Sequence, residues 1–253
     1  YQLPIGDELV DLNPIIGKTL KLTFLQKITC CHCDKTIKKS YSQGYCYPCM
    51  LKLPQCDMCI MKPETCHFDK GTCRDPEWGE KNCMIDHYVY LANTSGLKVG
   101  ITRHTQIPTR WIDQGAIQAV PIFKVSTRLQ SGLGEVALAK FIADKTNWRA
   151  MLKGSPDNID LQAKAAELKP LITEALADIR AQYGEDSVIE LDDSAQELAF
   201  PVSEYLPKIS SFNFDKNPEV SGTLLGIKGQ YLIFDGGVIN IRKFGSYHLT
   251  AEF

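Results

Sequence analysis

The stretch His87-Tyr-Val-Tyr-Leu-Ala92, Asn93-Thr-Ser-Gly96, Leu97-Lys-Val-Gly-Ile-Thr102 decides the fold of the central part of the chain. Its outer segments are short and rich in β-branched and aromatic residues, and the segment between them is a strong turn signal, so the stretch predicts a β-hairpin. Three further elements are predicted, a helix over residues 109–114, a strand over 120–125 and a helix over 134–145. The order β-β-α-β-α indicates a compact α+β unit.

The segments on either side of this unit have different patterns. Residues 18–29 place Leu20, Leu22 and Phe24 on one face at a period of two, which predicts a half-buried strand. Apolar residues recur at helical spacing from Leu161 to Tyr183, and Pro170 is expected to kink or split that helix. From Ser221 the chain becomes glycine-punctuated and predicts a small antiparallel β-domain.

These patterns predict an α+β protein in four segments. The segments are a strand with Cys-rich zinc-binding modules over residues 1–86, the α+β domain over 87–154, a helical segment over 155–185 and a small β-domain over 186–253.

Composition describes an ordinary globular chain. Its 253 residues are 44% hydrophobic and 23% charged, with a formal net charge of −2. No apolar run approaches the ~18 residues of a membrane-spanning helix, and the first residues lack the basic-then-apolar layout of a signal peptide. We therefore expect a cytoplasmic protein with no membrane partner.

Cysteine usage is strongly local, because all ten Cys lie between Cys30 and Cys83. Close CxxC pairs in a long chain without a secretory signal favour metal binding over disulfides. Two such pairs have the spacing of a zinc ribbon, in which four thiolates close a tetrahedral site and leave no position for water. The sequence therefore predicts a structural zinc ion on Cys30, Cys33, Cys46 and Cys49.

A second group of soft ligands follows the ribbon. We expect a second metal site formed by Cys56, Cys59, Cys66 and Cys73. Cys83, His67 and His87 remain alternative ligands, and four Cys can equally hold an iron–sulfur cluster because spacing alone does not fix the metal.

Charge is unevenly distributed behind the near-neutral total. Residues 87–153 carry nine Lys and Arg against three Asp and Glu, whereas residues 154–200 carry three against eleven. The basic stretch is typical of a nucleic-acid-binding face. The alternative is two solvated surfaces of opposite sign that attract each other.

The central stretch also resembles the core of a GIY-YIG nuclease domain. The resemblance rests on Tyr88-Val-Tyr-Leu-Ala92, Lys98-Val-Gly-Ile-Thr102 and Arg110-Trp111. It implies hydrolysis of DNA phosphodiesters, with Tyr90, Arg110 and Glu135 as catalytic residues and Mg²⁺ or Mn²⁺ bound at Glu135. The sequence departs from the pattern at Lys98, which stands where the second motif has its tyrosine.

Nearly the full length is similar to a bacterial family described as a domain of unknown function, number 2797. The resemblance supplies no activity. The residues that carry it are Gly71–Glu80, Val89–Ala92, Lys98–Arg103, Gln114–Ala116 and Gly226–Tyr231, together with the CxxC ribbon.

Three functions follow as hypotheses. The first is a metal-dependent, GIY-YIG-like endonuclease with structural zinc, acting on DNA rather than RNA, in which Lys98 and Arg103 add phosphate-binding charge. The second is a catalytically inactive zinc-containing nucleic-acid-binding protein. The third is an iron–sulfur or thiol redox sensor built on the second Cys group. The oligomeric state stays open.

Overall fold

The computed structural model describes residues 1–6 and 8–253. The chain forms two compact units. The first contains Tyr1–Lys52, Leu152–Gly154 and Ala199–Phe253, and the second contains Leu53–Met151 and Ser155–Leu198. Among the described residues, no helix is long and apolar enough to cross a membrane.

The strands are numbered in chain order. They are β1 Gln2–Ile5, β2 Glu8–Asp11, β3 Thr19–Thr29, β4 Thr36–Ile37, β5 His87–Asn93, β6 Leu97–Arg103, β7 Gln118–Val125, β8 Val188–Glu190, β9 Gln196–Glu197, β10 Glu219–Lys228, β11 Tyr231–Phe234, β12 Gly237–Asn240 and β13 Tyr247–Glu252.

The α-helices lie mainly in the second unit. They are α1 Tyr47–Lys52, α2 Met58–Met61, α3 Pro76–Asn82, α4 Thr109–Asp113, α5 Arg128–Leu138, α6 Trp148–Met151, α7 Leu161–Leu168 and α8 Thr173–Tyr183. Short 3-10 turns join several of them.

The first unit is built on an antiparallel sheet in the order β12-β11-β10-β3-β13, with β4 paired to one end of β3. The predicted alternation in β3 is confirmed, because Leu20, Leu22 and Phe24 are all buried in the core of this sheet. The strand lies between two strands from the far end of the chain, β10 and β13. The amino-terminal strand and the carboxy-terminal β segment therefore form one structure.

The second unit contains the predicted hairpin. β5 and β6 pair antiparallel with Tyr90 opposite Gly100, and the sheet order is β6-β5-β7-β8, with β9 also paired to β7. Alternate side chains of β5 lie on opposite faces of the sheet, and both faces are buried. Val89 and Leu91 join one core with α5, α7 and α8, whereas Tyr90 packs with Trp111 of α4 on the opposite face. The order β-β-α-β-α is confirmed.

Helix α5 differs from its predicted bounds at both ends. It begins at Arg128 because Thr127 and Gln130 form a reciprocal cap, in which the Gln130 N–H donates to Thr127 Oγ1 at 3.3 Å and the Thr127 N–H donates to Gln130 Oε1 at 3.1 Å. It ends at Leu138. Glu135 therefore lies near the carboxy-terminal end of the helix, where the helix dipole does not favour a carboxylate.

The acidic helical segment is part of the second unit's core. A 3-10 turn over Lys169–Ile172 separates α7 from α8, so the predicted split at Pro170 is confirmed. Leu161, Leu168 and Ile179 are buried against the same sheet that carries the hairpin. The segment predicted as separate over residues 155–185 thus packs together with the one predicted over 87–154.

Candidate functional site

Four cysteines of the first unit converge at the end of β3. The sulfur atoms of Cys30, Cys33, Cys46 and Cys49 all lie within 4.8 Å of one another. Cys33 Sγ and Cys46 Sγ are 3.7 Å apart. Such a set is compatible with a structural metal such as zinc, because tetrahedral thiolate sites need four sulfurs at this range.

Backbone N–H groups stabilise negative charge on the Cys30 sulfur atom of this set. The Cys46 N–H donates to Cys30 Sγ at 3.2 Å. Burial opposes ionisation of the Cys30 thiol, but backbone donors from Cys46, Cys33 and His32 outweigh it and lower its pKa. Cys31, although adjacent, is exposed and lies outside the set.

The second cysteine group lines a cavity of the second unit. Of the four cysteines expected there, Cys59, Cys66 and Cys73 lie on the cavity wall, and Cys83 joins them. Cys56 is not among the lining residues. A different trio, Asp57, Cys59 and His67, has its ligand atoms within 4.8 Å of one another.

A polar cluster forms where the hairpin meets helix α4. The Tyr90 hydroxyl and the Lys98 amine both donate to Gln114 Oε1, at 3.1 Å and 3.2 Å. Tyr90 is fully buried, and burial raises its pKa to about 12. Lys98 is only 5% exposed, and burial lowers the pKa of its amine to about 8.

Arg110 and Glu135 adjoin the same cluster. Arg110 is exposed, and its positive charge opposes the rise in the pKa of Tyr90 and adds to the fall in the pKa of Lys98. Burial raises the pKa of the Glu135 carboxyl, and the charges of Lys98 and Arg110 oppose that shift. The three predicted catalytic residues are therefore neighbours, although they are spread over 46 residues of sequence from Tyr90 to Glu135.

Asp144 completes the charged neighbourhood. The Val99 N–H donates to the Ala143 carbonyl at 2.8 Å, and this contact sets Asp144 beside β6. Its carboxylate opposes the lowering of the Lys98 pKa and adds to the raising of the Glu135 pKa, both of which are caused mainly by burial. The cluster thus contains two carboxylates and two cations around one buried tyrosine.

The two residues expected to contact phosphate have other partners. Lys98 faces Gln114 beneath the surface, as described above. The Arg103 guanidinium donates to Asn82 Oδ1 and so connects β6 with helix α3. The exposed cation of the cluster is Arg110.

Comparison with known proteins places the chain in a family. The family model described as "Protein of unknown function (DUF2797)" matches residues 17–249. The chain belongs to the DUF2797 family. No curated protein and no solved structure matches it.

For this DUF2797 chain, the hairpin and the residues predicted from it are present, while no solved GIY-YIG structure supports the resemblance. The sequence places Gln114 only among the residues that carry the family resemblance, and it assigns Asp144 no role. The signal that identifies both is tertiary: the carboxamide of Gln114 bridges Tyr90 and Lys98, and a single bridge to β6 positions Asp144.

Proposed function

We propose that this DUF2797 protein binds the phosphodiester backbone of nucleic acid at the cluster of Lys98, Arg110 and Glu135, and cleaves it with the help of a divalent cation. The proposal is supported by the convergence of side chains from four elements. Residues from β5, β6, α4 and α5 meet in one polar group that combines cations with carboxylates. Phosphoryl chemistry requires that combination, because charge develops on the phosphate oxygens in the transition state.

Each residue has a part in this proposal. Arg110, the exposed cation, contacts the phosphate, and Lys98 adds positive potential from beneath the surface. Glu135 and Asp144 offer the oxygen ligands that Mg²⁺ and Mn²⁺ prefer. A cation held there would supply Lewis acidity to the phosphate. Tyr90 is fully buried, so it positions Gln114 and Arg110 rather than contacting water.

The zinc ribbon supplies a second, non-catalytic contact in the same proposal. Lys39 Nζ lies 5.2 Å from the centre of the Tyr41 ring, which in turn packs at 5.4 Å against Tyr47. Tyr47 is 53% exposed. Exposed aromatic rings beside lysines suit stacking on bases and contact with the backbone.

Binding without cleavage is the second candidate. It is favoured by the burial of Tyr90, because a tyrosine with a pKa of about 12 holds its proton at neutral pH and does not serve as a base. In this version the same cluster holds phosphate and performs no chemistry.

One experiment separates the two. Labelled DNA and RNA duplexes, single strands and branched structures are incubated with the full chain and Mg²⁺ or Mn²⁺, and binding and cleavage are recorded in the same samples. Glu135→Gln and Arg110→Ala are compared with matched exposed controls, Glu174→Gln on α8 and Lys140→Ala. We expect both site variants to lose about 100-fold or more in cleavage rate, and the controls to change less than about twofold.

The outcomes have different meanings. Loss of cleavage in both site variants with near-normal controls supports the nuclease. Binding that weakens with salt and with Arg110→Ala, without cleavage by the wild type, supports the second candidate. Absence of both binding and cleavage contradicts the proposal in either form.

A further inference from the structure

The cavity in the second unit is surrounded by sulfur. Cys59, Cys66, Cys73 and Cys83 all line it, together with His67. Four thiols that face one small space are the donor set of a soft metal ion.

Glycine permits the close packing that brings these cysteines together. A Cβ on Gly79 of helix α3 would lie 2.8 Å from the ring of Phe68 and 3.2 Å from Cys73 Sγ. Gly71 adopts a left-handed conformation with φ +68° and turns the chain between Phe68 and Cys73. The chain therefore folds tightly around the cavity.

A half-buried cation, Arg128, lies beside the thiols. The Arg128 guanidinium donates to the Ile60 carbonyl at 2.8 Å, and within the described part of the chain its buried Nε has no hydrogen-bond partner. The positive charge of Arg128 acts on Cys59 and Cys83, and that of Arg103 acts on Cys83. A divalent ion with four thiolates carries two net negative charges, so these arginines would offset the charge of the loaded site.

The trio of Asp57, Cys59 and His67 is a weaker donor set because its polar atoms already serve one another. Arg74 Nε lies 2.6 Å from Asp57 Oδ2, and His67 Nε2 lies 3.5 Å from the same oxygen. The other ring nitrogen of His67 is 2.8 Å from Thr72 Oγ1. This network stabilises the wall of the cavity, and the thiols are left as the metal ligands.

We propose that Cys59, Cys66, Cys73 and Cys83 bind one zinc ion, which makes a second metal centre separate from the ribbon. The space between them is that of about one water molecule, which suits a single ion. Among the described residues these four sulfur atoms do not all lie within 4.8 Å of one another, so metal binding would draw them together. Cys56 is not a ligand.

The test is metal content of the purified full chain, measured by mass spectrometry of the elements. We expect two zinc ions per chain in the wild type and one in each of the variants Cys66→Ser, Cys73→Ser and Cys83→Ser. Cys56→Ser is the matched control from the same segment, and His67→Ala tests the competing trio. Both are expected to retain two zinc ions.

A spectroscopic measurement keeps the test decisive if a serine variant still holds metal weakly. Cadmium-substituted wild type should give two cadmium resonances typical of four sulfur ligands, and Cys83→Ser should shift one of them. The proposal is overturned if the wild type holds one zinc, if it holds iron with sulfide and visible absorbance, or if Cys56→Ser or His67→Ala loses an ion that Cys83→Ser retains.

Discussion

Gly100 stands opposite Tyr90 in the β5–β6 pair, and this position explains the glycine by packing alone. A Cβ at residue 100 would lie 2.6 Å from the Tyr90 hydroxyl oxygen and 2.7 Å from the ring carbon that bears it. We expect Gly100→Ala to lower the free energy of unfolding by about 1–3 kcal/mol, because the buried Tyr90 ring must shift to make room for the Cβ. Urea unfolding followed by tryptophan fluorescence measures the change.

Gly154→Ala is the control for that substitution. A Cβ there meets nothing within 4 Å, and the residue does not adopt a left-handed conformation. Its free energy of unfolding should stay within about 0.5 kcal/mol of the wild type. Equal effects from the two substitutions would show that Tyr90 does not constrain residue 100.

The side chain of His87 makes the stability of the protein depend on pH. It is fully buried, and burial lowers its pKa from 6.5 to about 4. The unfolded chain therefore binds a proton before the native chain does, so stability is complete above about pH 6.5 and decreases as the pH falls toward 4. The shift corresponds to about 3 kcal/mol.

The variant His87→Gln removes the imidazole that binds this proton. Between about pH 6.5 and 4, the wild type should lose up to about 3 kcal/mol more of its unfolding free energy than the variant does. Denaturant unfolding at several pH values measures the difference. His104→Gln, an exposed histidine, should keep the wild-type slope. Parallel slopes for wild type and His87→Gln would contradict the assignment.

At the scale of elements, helix α5 holds the cysteine-rich segment against the sheet. A Cβ on Gly132 would lie 2.6 Å from the Pro63 carbonyl carbon, in the 3-10 turn Pro63–Thr65. Because the obstacle is backbone, Gly132→Ala should separate helix and turn and cost about 1–3 kcal/mol. Hydrogen exchange should increase in residues 53–83 more than in β5.

Val136→Ala on the same helix is the control, since Val136 is 44% exposed. It should leave exchange in the cysteine-rich segment unchanged. Equal protection in Gly132→Ala and wild type would mean that the turn is held in place by other contacts.

Local sequence patterns predict the presence of helices and strands better than they predict the residues at which these begin and end. The hairpin is visible from its turn signal and composition, and the division of the long helix follows from Pro170. The start of α5 depends on the reciprocal cap of Thr127 and Gln130, which apolar periodicity does not reveal. Local spacing does not show that Cys83 lines the cavity and Cys56 does not, because this depends on which side of a folded loop faces the cavity.

At the scale of the whole molecule, the division into units depends on strand pairing between distant residues. Strand β3 pairs with β10 and β13, about 200 residues later in the chain. Periodicity shows that residues 18–29 form a half-buried strand and does not show which strands are its neighbours. The four predicted segments therefore followed local composition, whereas the units follow the sheets.

This pairing gives a prediction for the whole chain. Leu22 is fully buried at the centre of β3, facing Val220 in β10 and Ala251 in β13 across the sheet registers. Leu22→Ala should reduce the stability of the carboxy-terminal strands by about 2–5 kcal/mol, because it leaves a cavity in their shared core. Hydrogen exchange of the β10 and β13 amides measures this. Leu25→Ala, which removes a 53% exposed side chain from the same strand, should leave those amides protected. If residues 1–86 folded as a module of their own, Leu22→Ala would instead leave β10 and β13 unaffected, and the assignment of β3 to the carboxy-terminal sheet would be wrong.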